Sequence, residues 1–553
     1  MSATRPLFRP LLVLLAASLL ALSAGPRPVA AQEAAEGTRR IDGLGEVTFP
    51  TSGAPAAQEH FLRGLLLLHS FEYGPAAAAF RRAQEEDPDY VMAHWGEAMT
   101  YNHPLWRQQD REAAREALRE LAPTREERLA MAPTGRERAY LSAVETLYGD
   151  GPKTRRDTLY SRAMERMVAR FPEDPEAKAF YALSVLGLNQ GERDVPTFMR
   201  AGAIALELFE QHPRHPGAAH YAIHSFDDPA HAPLGLEAAR AYAEIAPHAA
   251  HAQHMTSHIF TALGLWDRVV EANEAAARTA AEGAGHGREL HPCGHYAEWL
   301  SYGYLQQGRP GEAGELIRAC VELSRGGGGD MGSVARMRAL YLVDTEDWDG
   351  ELAGLSLDPE GMAPRWQLAL DFGDALAAAG RGETDAARDA VESLRQRSRS
   401  LRQGLVADAR VMIPTLEAVI AREEGRMEAA LERARVAAER ADGQPVPYGP
   451  PSTYRTPREL EGELLLAMDR PEEALAAFRQ ALLRTPRRPR SLLGLARAAR
   501  GSGRLDRAAA AYAQAEAIWE GAEDGWPGLA EARRFLDEHG RPEVAAGPAA
   551  LPR

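Results

Sequence analysis

"GELLLAMDRPEEALAAFRQALLRTP", residues 462–486, is the stretch that decides the fold. Its landmarks are small residues, one aromatic and a closing proline: Gly462, Ala474, Phe478, Ala481 and Pro486. A second stretch near the other end of the chain, "GLLLLHSFEYGPAAAAFRRAQEEDP" at 64–88, repeats these landmarks with the same steps of 12, 4, 3 and 5 residues. This arrangement is the tetratricopeptide pattern, in which small residues stand where two helices meet, an aromatic residue lies in the second helix and a proline ends it.

The pattern continues with a period of 34 residues. Adding 34 to the numbers of the first four landmarks, Gly462, Ala474, Phe478 and Ala481, gives residues of the same kind at Ala496, Ala508, Tyr512 and Ala515. Looser copies of the helix pair surround Gly308, Gly380 and Gly425. Because strand-like alternation is nearly absent, the sequence predicts an all-α fold, a tetratricopeptide-type α-solenoid forming a right-handed superhelix of helix hairpins.

Composition narrows the classes of partner. The 553 residues are 45% hydrophobic and 26% charged, as in ordinary globular proteins, and the formal net charge is −15. A negative charge of this size argues against nucleic acid or an anionic membrane surface as a partner. No run of about 20 apolar residues follows the N-terminal segment, so we expect no membrane span.

The N-terminus has the features of a secretory signal. Arg5 and Arg9 precede the apolar run "LLVLLAASLLALSA" at 11–24, and small residues stand before Gln32. We therefore predict cleavage after Ala31 and export to the periplasm or the extracellular medium. Export implies an oxidising compartment, and two cysteines allow at most one disulfide; simple helix packing is the alternative role for both.

Breaks in the repeat pattern suggest the domain organisation. "RGGGGDMGS" at 325–333 resembles a flexible joint, and "GQPVPYGPPSTYRTP" at 443–457 is too rich in proline to be helical throughout. The predicted parts are a signal peptide at 1–31, an N-terminal repeat array with a histidine-rich groove at 32–324, a glycine-rich joint at 325–334, a C-terminal repeat array at 335–540 and a disordered tail at 541–553.

Histidines are concentrated in one part of the chain. Twelve of the 17 lie between residues 212 and 295. Three pairs are four residues apart, a spacing that puts two imidazoles on one helix face: His220 with His224, His254 with His258, and His291 with His295.

The first two pairs are also 34 residues apart, so they occupy the same position in successive repeats. Since packed helices lie about 8–10 Å apart, we expect the four imidazoles to meet over one metal ion, with bonds of about 2.0–2.1 Å. Counting within the repeat places His251 and His295 at groove-lining positions, and His69 and His103 at the end of the first helix of the first two repeats. The predicted metal ligands are His220, His224, His254, His258, His251, His295, His291, His69 and His103.

Carboxylates near these histidines are candidates for proton transfer. Asp227 and Asp228 follow His224 in "HSFDDP", and Glu97 precedes His103 in "WGEAMTYNHPLW". Asp227 and Asp228 are candidate catalytic residues, ligands or groups that orient an imidazole, or else caps of the following helix. Glu97 is a candidate general base, or else part of a solvated helix face.

The blocks "FLRGLLLLHSFEYGPAAAAFRRAQEEDP", "MAHWGEAMTYNHPLW", "PGAAHYAIHSFDDPAHAPLGLEAARAYAEIAPHAAHAQHMTSHIF" and "YGPPSTYRTPREL" resemble a family of exported bacterial tetratricopeptide-repeat proteins. The resemblance covers most of the chain and implies the repeat fold and these histidine-bearing blocks. It implies no reaction.

The histidines predict a site for a divalent transition metal, zinc, copper or iron, on the concave face. Four histidines alone would make a closed site, whereas three ligands and a water would make a catalytic one. The alternatives are a groove that binds a peptide or partner protein without metal, and an array of histidines that senses pH.

Overall fold

The computed structural model describes residues 38–191, 193–283, 291–401 and 403–542. The predicted signal peptide at 1–31 lies outside these residues, as do residues 543–553 of the predicted tail. The described helices are α1 Pro55–His69, α2 Tyr73–Glu86, α3 Val91–Thr100, α4 Arg111–Leu121, α5 Arg125–Met131, α6 Gly135–Leu147, α7 Lys153–Arg170, α8 Pro175–Leu186, α9 Val195–Gln211, α10 Pro216–Phe226, α11 Ala232–Ile245, α12 Ala250–Leu263, α13 Trp266–Gly283, α14 His295–Gln306, α15 Pro310–Arg325, α16 Met331–Thr345, α17 Pro364–Gly380, α18 Thr384–Ser398, α19 Gln403–Glu423, α20 Met427–Asp442, α21 Pro457–Ala467, α22 Pro471–Arg484, α23 Pro489–Gly501, α24 Leu505–Ile518 and α25 Leu529–His539.

Two short β-hairpins accompany the helices. They are formed by β1 Thr38–Ile41 with β2 Gly45–Thr48, and by β3 Asn102–His103 with β4 Gln108–Gln109. Neighbouring helices pack as antiparallel pairs along the chain, so the all-α solenoid of helix hairpins predicted from the 34-residue period is confirmed. None of the described helices is long and apolar enough to cross a membrane.

The landmark residues of the repeat pack as the pattern predicts. Phe80 of α2 is fully buried and lies against Gly64 of α1 and Gly96 of α3, where an added Cβ would come within 2.8 and 2.3 Å of its ring. Near the other end, Phe478 meets Gly462 and Gly494 in the same way, at 2.7 and 2.2 Å. Each ring therefore locks one hairpin to the next, and its full burial stabilises the fold by about 1.5–3 kcal/mol.

In several hairpins the turn contains one residue in the left-handed conformation. In most of the recognisable repeats this residue is glycine, which adopts positive φ without steric cost: Gly264, Gly308, Gly382, Gly425 and Gly503. Asp469 holds the position in one repeat, at φ 57°. In the first repeat it is Phe71, at φ 56°, although a bulky side chain rarely adopts this conformation.

Residues far apart in the chain meet within one compact unit, to which the described residues from Arg39 onward belong. The Trp266 indole N–H donates to the backbone carbonyl of Arg487, 2.9 Å away. The buried guanidinium of Arg488 contacts the carboxylates of Asp344 and Glu459. These contacts bring α13 and α16 against the segment that joins α22 to α23.

Two predicted breaks have helices on either side. The connection between α20 and α21 covers residues 443–456, close to the proline-rich loop predicted at 443–457. Around the predicted glycine-rich joint at 325–334, α15 ends at Arg325 and α16 begins at Met331, which leaves residues 326–330 as the link. The division into two arrays at this joint stays a prediction.

Candidate metal centre

Three histidines from α10 and α12 form a first group, named histidine group 1 below. It consists of His220, His224 and His251, each offering a ring nitrogen within 4.8 Å of the others. Their Nε2 atoms are all buried and have no hydrogen-bond partner among the described residues. Since a buried polar atom without a partner is costly, three converging nitrogens call for a shared ligand.

The proton of His220 is held on the far side of its ring. His220 Nδ1 lies 2.7 Å from the backbone carbonyl oxygen of His69. A carbonyl only accepts hydrogen bonds, so Nδ1 carries the proton and Nε2 presents a lone pair. The orientation suits a metal ligand, whose second nitrogen is ordinarily hydrogen-bonded in this way.

A second set, named histidine group 2, consists of His254, His258 and His295 on α12 and α14. His254 Nδ1 lies 2.7 Å from Asn273 Oδ1. The Asn273 amide nitrogen donates to the carbonyl of Val269, at 2.8 Å, which fixes Oδ1 towards the histidine. His258 Nδ1 lies 2.5 Å from Asp227 Oδ2. Both partners are acceptors, so both histidines carry their proton on Nδ1.

The Nε2 atoms of the same two histidines face each other at 3.1 Å. With both rings neutral and both protons on Nδ1, two lone pairs point at one another, and neither atom donates. Two bonds of about 2.0–2.1 Å at the tetrahedral angle separate ligand nitrogens by about 3.3 Å. A cation bound between the two nitrogens accounts for this contact between neutral rings.

Five of the six histidines in the two groups are held in the neutral form. Burial lowers the pKa of His220 to about 3. Burial, reinforced by neighbouring histidines, lowers the pKa of His224, His251 and His254 well below the ordinary value. His295 lies at an exposed rim, yet the surrounding protein lowers its pKa to about 3 as well. Neutral imidazoles are the form that binds metals.

Aromatic rings enclose both groups. The Phe71 ring centroid lies 4.2, 5.8 and 5.7 Å from those of His220, His224 and His251. Trp299 stacks on His258 with centroids 4.4 Å apart and meets the edge of His254 at 4.8 Å. Phe71, the residue with unusual backbone in its turn, thus covers all three members of histidine group 1, and such conformations are concentrated at functional sites.

His69 belongs to a different network. Its Nε2 lies 2.6 Å from Glu176 Oε2 and its Nδ1 2.8 Å from the Tyr221 hydroxyl. His215 Nε2 lies 2.9 Å from the other oxygen of Glu176, and its Nδ1 accepts from the backbone N–H of Ala218. Although burial alone would raise the pKa of Glu176, His215 and His69 hold it well below its usual range. Both ring nitrogens of His69 are therefore hydrogen-bonded. His69 positions His220 through its backbone carbonyl, which accepts from His220 Nδ1.

The four histidines expected around one ion are divided. His220 and His224 join His251, whereas His254 and His258 join His295. The reason is that His251, also on α12, reaches back to the α10 pair, while α14 supplies His295 to the other pair. Ring centroids of His224 and His258 are still only 6.0 Å apart, so the two groups adjoin.

His103 and Glu97 lie elsewhere. Helix α3 ends at Thr100, so His103 falls in β3 and not at a helix end. Its ring stacks on Tyr73 at 3.9 Å, and its Nε2 faces the Thr100 carbonyl at 3.1 Å. The Glu97 carboxylate is bound by Arg81 at 2.6 Å and by Gln84 at 2.8 Å. We therefore retain neither residue as a site candidate.

His291 is separated from its expected partner by the start of a helix. Because α14 begins at His295, His291 and His295 do not share a helix face. His291 instead meets the backbone of Cys293 through Nδ1, at 2.9 Å from the carbonyl oxygen. Cys293 forms a disulfide with Cys320 of α15. Of the two roles considered for these cysteines, the structure therefore has the disulfide. The bond anchors the chain two residues before His295.

The two neighbouring aspartates have different roles. Asp228 Oδ1 accepts from the backbone N–H groups of Ala230 and His231, and its carboxylate pairs with Arg193 at 3.1 Å. It holds the turn before α11, whose N-cap residue is His231 and which has no side-chain cap, so the capping alternative considered for Asp228 is wrong. Asp227 orients His258, as in the carboxylate–histidine pairs of metal sites.

Asn273, Phe71 and Trp299 complete the site and are not apparent from the sequence. Asn273 lies on α13, and nothing in its spacing from His254 marks the contact. Phe71 carries a signal that a repeat alignment reveals, because it stands where other repeats have glycine.

No protein-family model matches the chain, and no curated protein matches it. Solved structures with a related helical trace include the TPR domain of P58(IPK), at 14% identity and a TM-score of 0.20, covering 87% of this chain and 98% of that one. A human IFIT1 dimer with PPP-AAAA has 12% identity and a TM-score of 0.35, and the match covers 84% of this chain and 91% of that one. Yeast Tom70 has 13% identity and a TM-score of 0.27, and the match covers 87% of this chain and 95% of that one. The fold assignment rests on the helix pairing within this chain.

Proposed function

We propose that this protein binds transition-metal ions on the concave face of its solenoid, one ion at each histidine group. The observation that carries the proposal is the 3.1 Å contact between His254 Nε2 and His258 Nε2. Three buried Nε2 atoms without described partners support the same role for histidine group 1. Imidazole-only sites favour zinc, copper or iron over magnesium or calcium.

The two groups differ in access. Phe71 covers histidine group 1, in which His220 is buried and the other two histidines are half-buried, and this enclosure suits a structural or storage ion. His295 lies at an exposed rim, so an ion at histidine group 2 keeps a position for water or a substrate oxygen. Three histidines with an open position are typical of catalytic zinc, and water activation is the chemistry that such a site supports. Of the three predicted catalytic carboxylates, only Asp227 adjoins this group, through His258.

Elemental analysis of untagged, full-length protein tests the proposal. We expect about two equivalents of zinc, copper or iron per chain. His254→Ala/His258→Ala should lose one equivalent and His220→Ala/His224→Ala the other, whereas His539→Ala on α25 should lose none. Melting temperatures in chelator check that each variant folds. Background metal content in the parent protein after challenge with each ion would contradict the proposal.

A groove that binds a peptide or partner protein is the second candidate function. Trp106 and Tyr448 favour it, because they are 46% and 59% exposed and adjoin the histidines, with ring centroids 6.2 Å from His251 and 5.5 Å from His258. Exposed aromatic residues are common anchors at interfaces. The elemental analysis separates the two roles, since a metal-free scaffold predicts background metal content.

Export and membership of the exported repeat family are part of the same proposal. The Cys293–Cys320 disulfide supports them, because such bonds persist in oxidising compartments. Mass spectrometry of the protein recovered from the periplasm or medium should find Gln32 as its first residue; recovery of uncleaved cytoplasmic protein would contradict export. The exclusion of nucleic acid stays a prediction from the net charge.

A further inference from the structure

A cavity of about 90 Å³ lies beside histidine group 2, between the end of α12 and the proline-rich loop at 443–456. A single water needs roughly 10–15 Å³ on this scale, and an engineered cavity of about 150 Å³ binds benzene. The space therefore suits an organic molecule smaller than benzene. Its lining includes Asp227, Thr261, Trp266, Tyr302, Val446 and Tyr448.

Two polar atoms of the lining lack a hydrogen bond. They are Asp227 Oδ1 and Thr261 Oγ1, which are buried and have no partner among the described residues. The residues are 3% and 9% exposed. Asp227 Oδ2 is already taken by His258, so Oδ1 requires a donor. The Thr261 hydroxyl can donate as well as accept.

Most of the remaining lining surface is apolar, although Gln444, Ser452 and Arg484 contribute polar groups. The Trp266 indole N–H is bound to the Arg487 carbonyl, so this side chain offers the cavity carbon surface. Val446 and the neighbouring prolines Pro445 and Pro447 add further apolar surface. A ligand that fits has one polar end and a short hydrocarbon body.

The charges favour a neutral polar end. Asp227 and Asp228 line the cavity, and the buried guanidinium of Arg193 attracts both carboxylates. Arg484 supplies a second positive charge to the lining. With the two carboxylates balanced by two guanidinium groups, an ammonium group gains little, whereas one hydroxyl can donate to Asp227 and accept from Thr261.

The wall formed by the loop is anchored. Tyr448 stacks on His258, and Gly449, at φ 77°, passes so close to Trp299 that an added Cβ would lie 2.2 Å from the indole. Ser452 donates to Asp408 at 3.0 Å. A cavity held in this way exists before a ligand arrives, which lowers the cost of binding.

We propose that this cavity is a binding site for a short aliphatic alcohol or the hydroxyl end of a related small molecule, held by Asp227 and Thr261. The site goes beyond the proposed metal binding and does not depend on it. It places a hydroxyl next to the carboxylate that orients His258.

Fluorine NMR of the full chain tests the site with 2,2,2-trifluoroethanol as the probe, at millimolar concentrations. We expect a saturable shift in protein as purified, weakened at least fivefold by Thr261→Val. Ala262→Leu, which fills the cavity from another side, should weaken it too. The matched control is Thr415→Val, because the Thr415 hydroxyl is already bound to the Val411 carbonyl and lies outside this cavity; it should change nothing.

Two related probes define the polar end. 2,2,2-Trifluoroethyl methyl ether lacks a donor and should bind more weakly. The ammonium form of 2,2,2-trifluoroethylamine, compared with the alcohol in the same acidic buffer, should bind more weakly too. A response that never saturates, or one that Thr261→Val leaves unchanged, would overturn the site. Tighter binding of the ammonium probe than of the alcohol would overturn the hydroxyl assignment. Metal content measured in the same samples keeps the two proposals apart, since alcohol binding is expected even at background metal.

Discussion

His254 and His258 stand one helical turn apart on α12, and their Nε2 atoms face each other at 3.1 Å. Asn273 and Asp227 hold the protons of the two rings on the opposite side. Two lone pairs directed at one point are unfavourable in a buried site, and a bound cation turns the arrangement into a favourable one.

Asp227→Asn should weaken zinc binding at histidine group 2 by about 10–100-fold, the usual effect of losing an outer-shell partner. The amide can turn its N–H₂ towards His258 and favours the tautomer with the proton on Nε2. Titration calorimetry should show this loss at one of two sites. Asp228→Asn is the matched control, which should destabilise the start of α11 but leave both affinities unchanged. An equal effect of the two substitutions would contradict the role of Asp227.

Phe71→Gly should relieve the strained turn, worth of order 1–3 kcal/mol, yet remove a ring that covers three histidines. Because large-to-small changes of a buried phenylalanine typically cost 3–5 kcal/mol, we expect net destabilisation. Zinc release from histidine group 1 to a chelator should accelerate at least tenfold.

Asp469→Gly makes the same change at the equivalent turn of a distant repeat, where φ is 57°. It should be neutral or stabilising by up to about 1 kcal/mol, since aspartate tolerates the left-handed conformation better than most residues, and it should leave zinc release unchanged. Unaltered release in Phe71→Gly would show that the ring does not enclose the ion.

Removing the disulfide with Cys293→Ser/Cys320→Ser should cost about 3–4 kcal/mol in the free energy of unfolding, as expected for a separation of 27 residues. Cys293 lies two residues before His295, so we also expect weaker zinc binding at histidine group 2. Zinc binding at histidine group 1 should be unchanged. Urea unfolding and calorimetry measure the two effects. Equal weakening of both groups would mean that the bond supports the fold in general.

Asp371 should give the protein a pH-dependent stability of its own. Burial raises the pKa of this carboxyl from 3.8 to about 6, against the opposing effect of Arg397. Between these values the folded state binds more protons than the unfolded state, so the free energy of unfolding falls as pH rises from about 4 to 6. The loss should be on the order of 1–3 kcal/mol.

Asp371→Asn should abolish this component. Urea unfolding gives the free energy of unfolding of the variant and of the parent protein at pH 4.5 and pH 7, and the difference between the two proteins should change with pH. Asp385→Asn is the control, because the Asp385 side chain is fully exposed. If Asp371→Asn shifts stability equally at both pH values, the carboxyl does not titrate in this range.

The repeat fold was predictable because its signal is local and recurs. Phe80 and Phe478 occupy the same position among glycines in hairpins about 400 residues apart, and the spacing of those residues is visible in the sequence. The same period identified His220, His224, His254 and His258 as neighbours. The repeat register alone, however, does not determine which neighbouring helix a side chain faces. The structure places His251 with the α10 pair and His295 with the α12 pair.

Other parts of the site depend on contacts that no spacing encodes. Asn273 reaches His254 across the hairpin, and His69 acts through its backbone carbonyl. His103 and His291 were misplaced because both were assumed to be helical, whereas α3 ends before the first and α14 begins after the second. Element boundaries are the weakest part of a sequence reading, since helix ends depend on tertiary contacts.

An anomalous difference map, from a crystal of the zinc-loaded protein at the zinc absorption edge, tests the central claim most directly. We expect a peak between His254 Nε2 and His258 Nε2, about 2.0–2.1 Å from each, and a second peak among the Nε2 atoms of His220, His224 and His251. A map without a peak at His254 and His258, with their nitrogens still at about 3.1 Å, would contradict it.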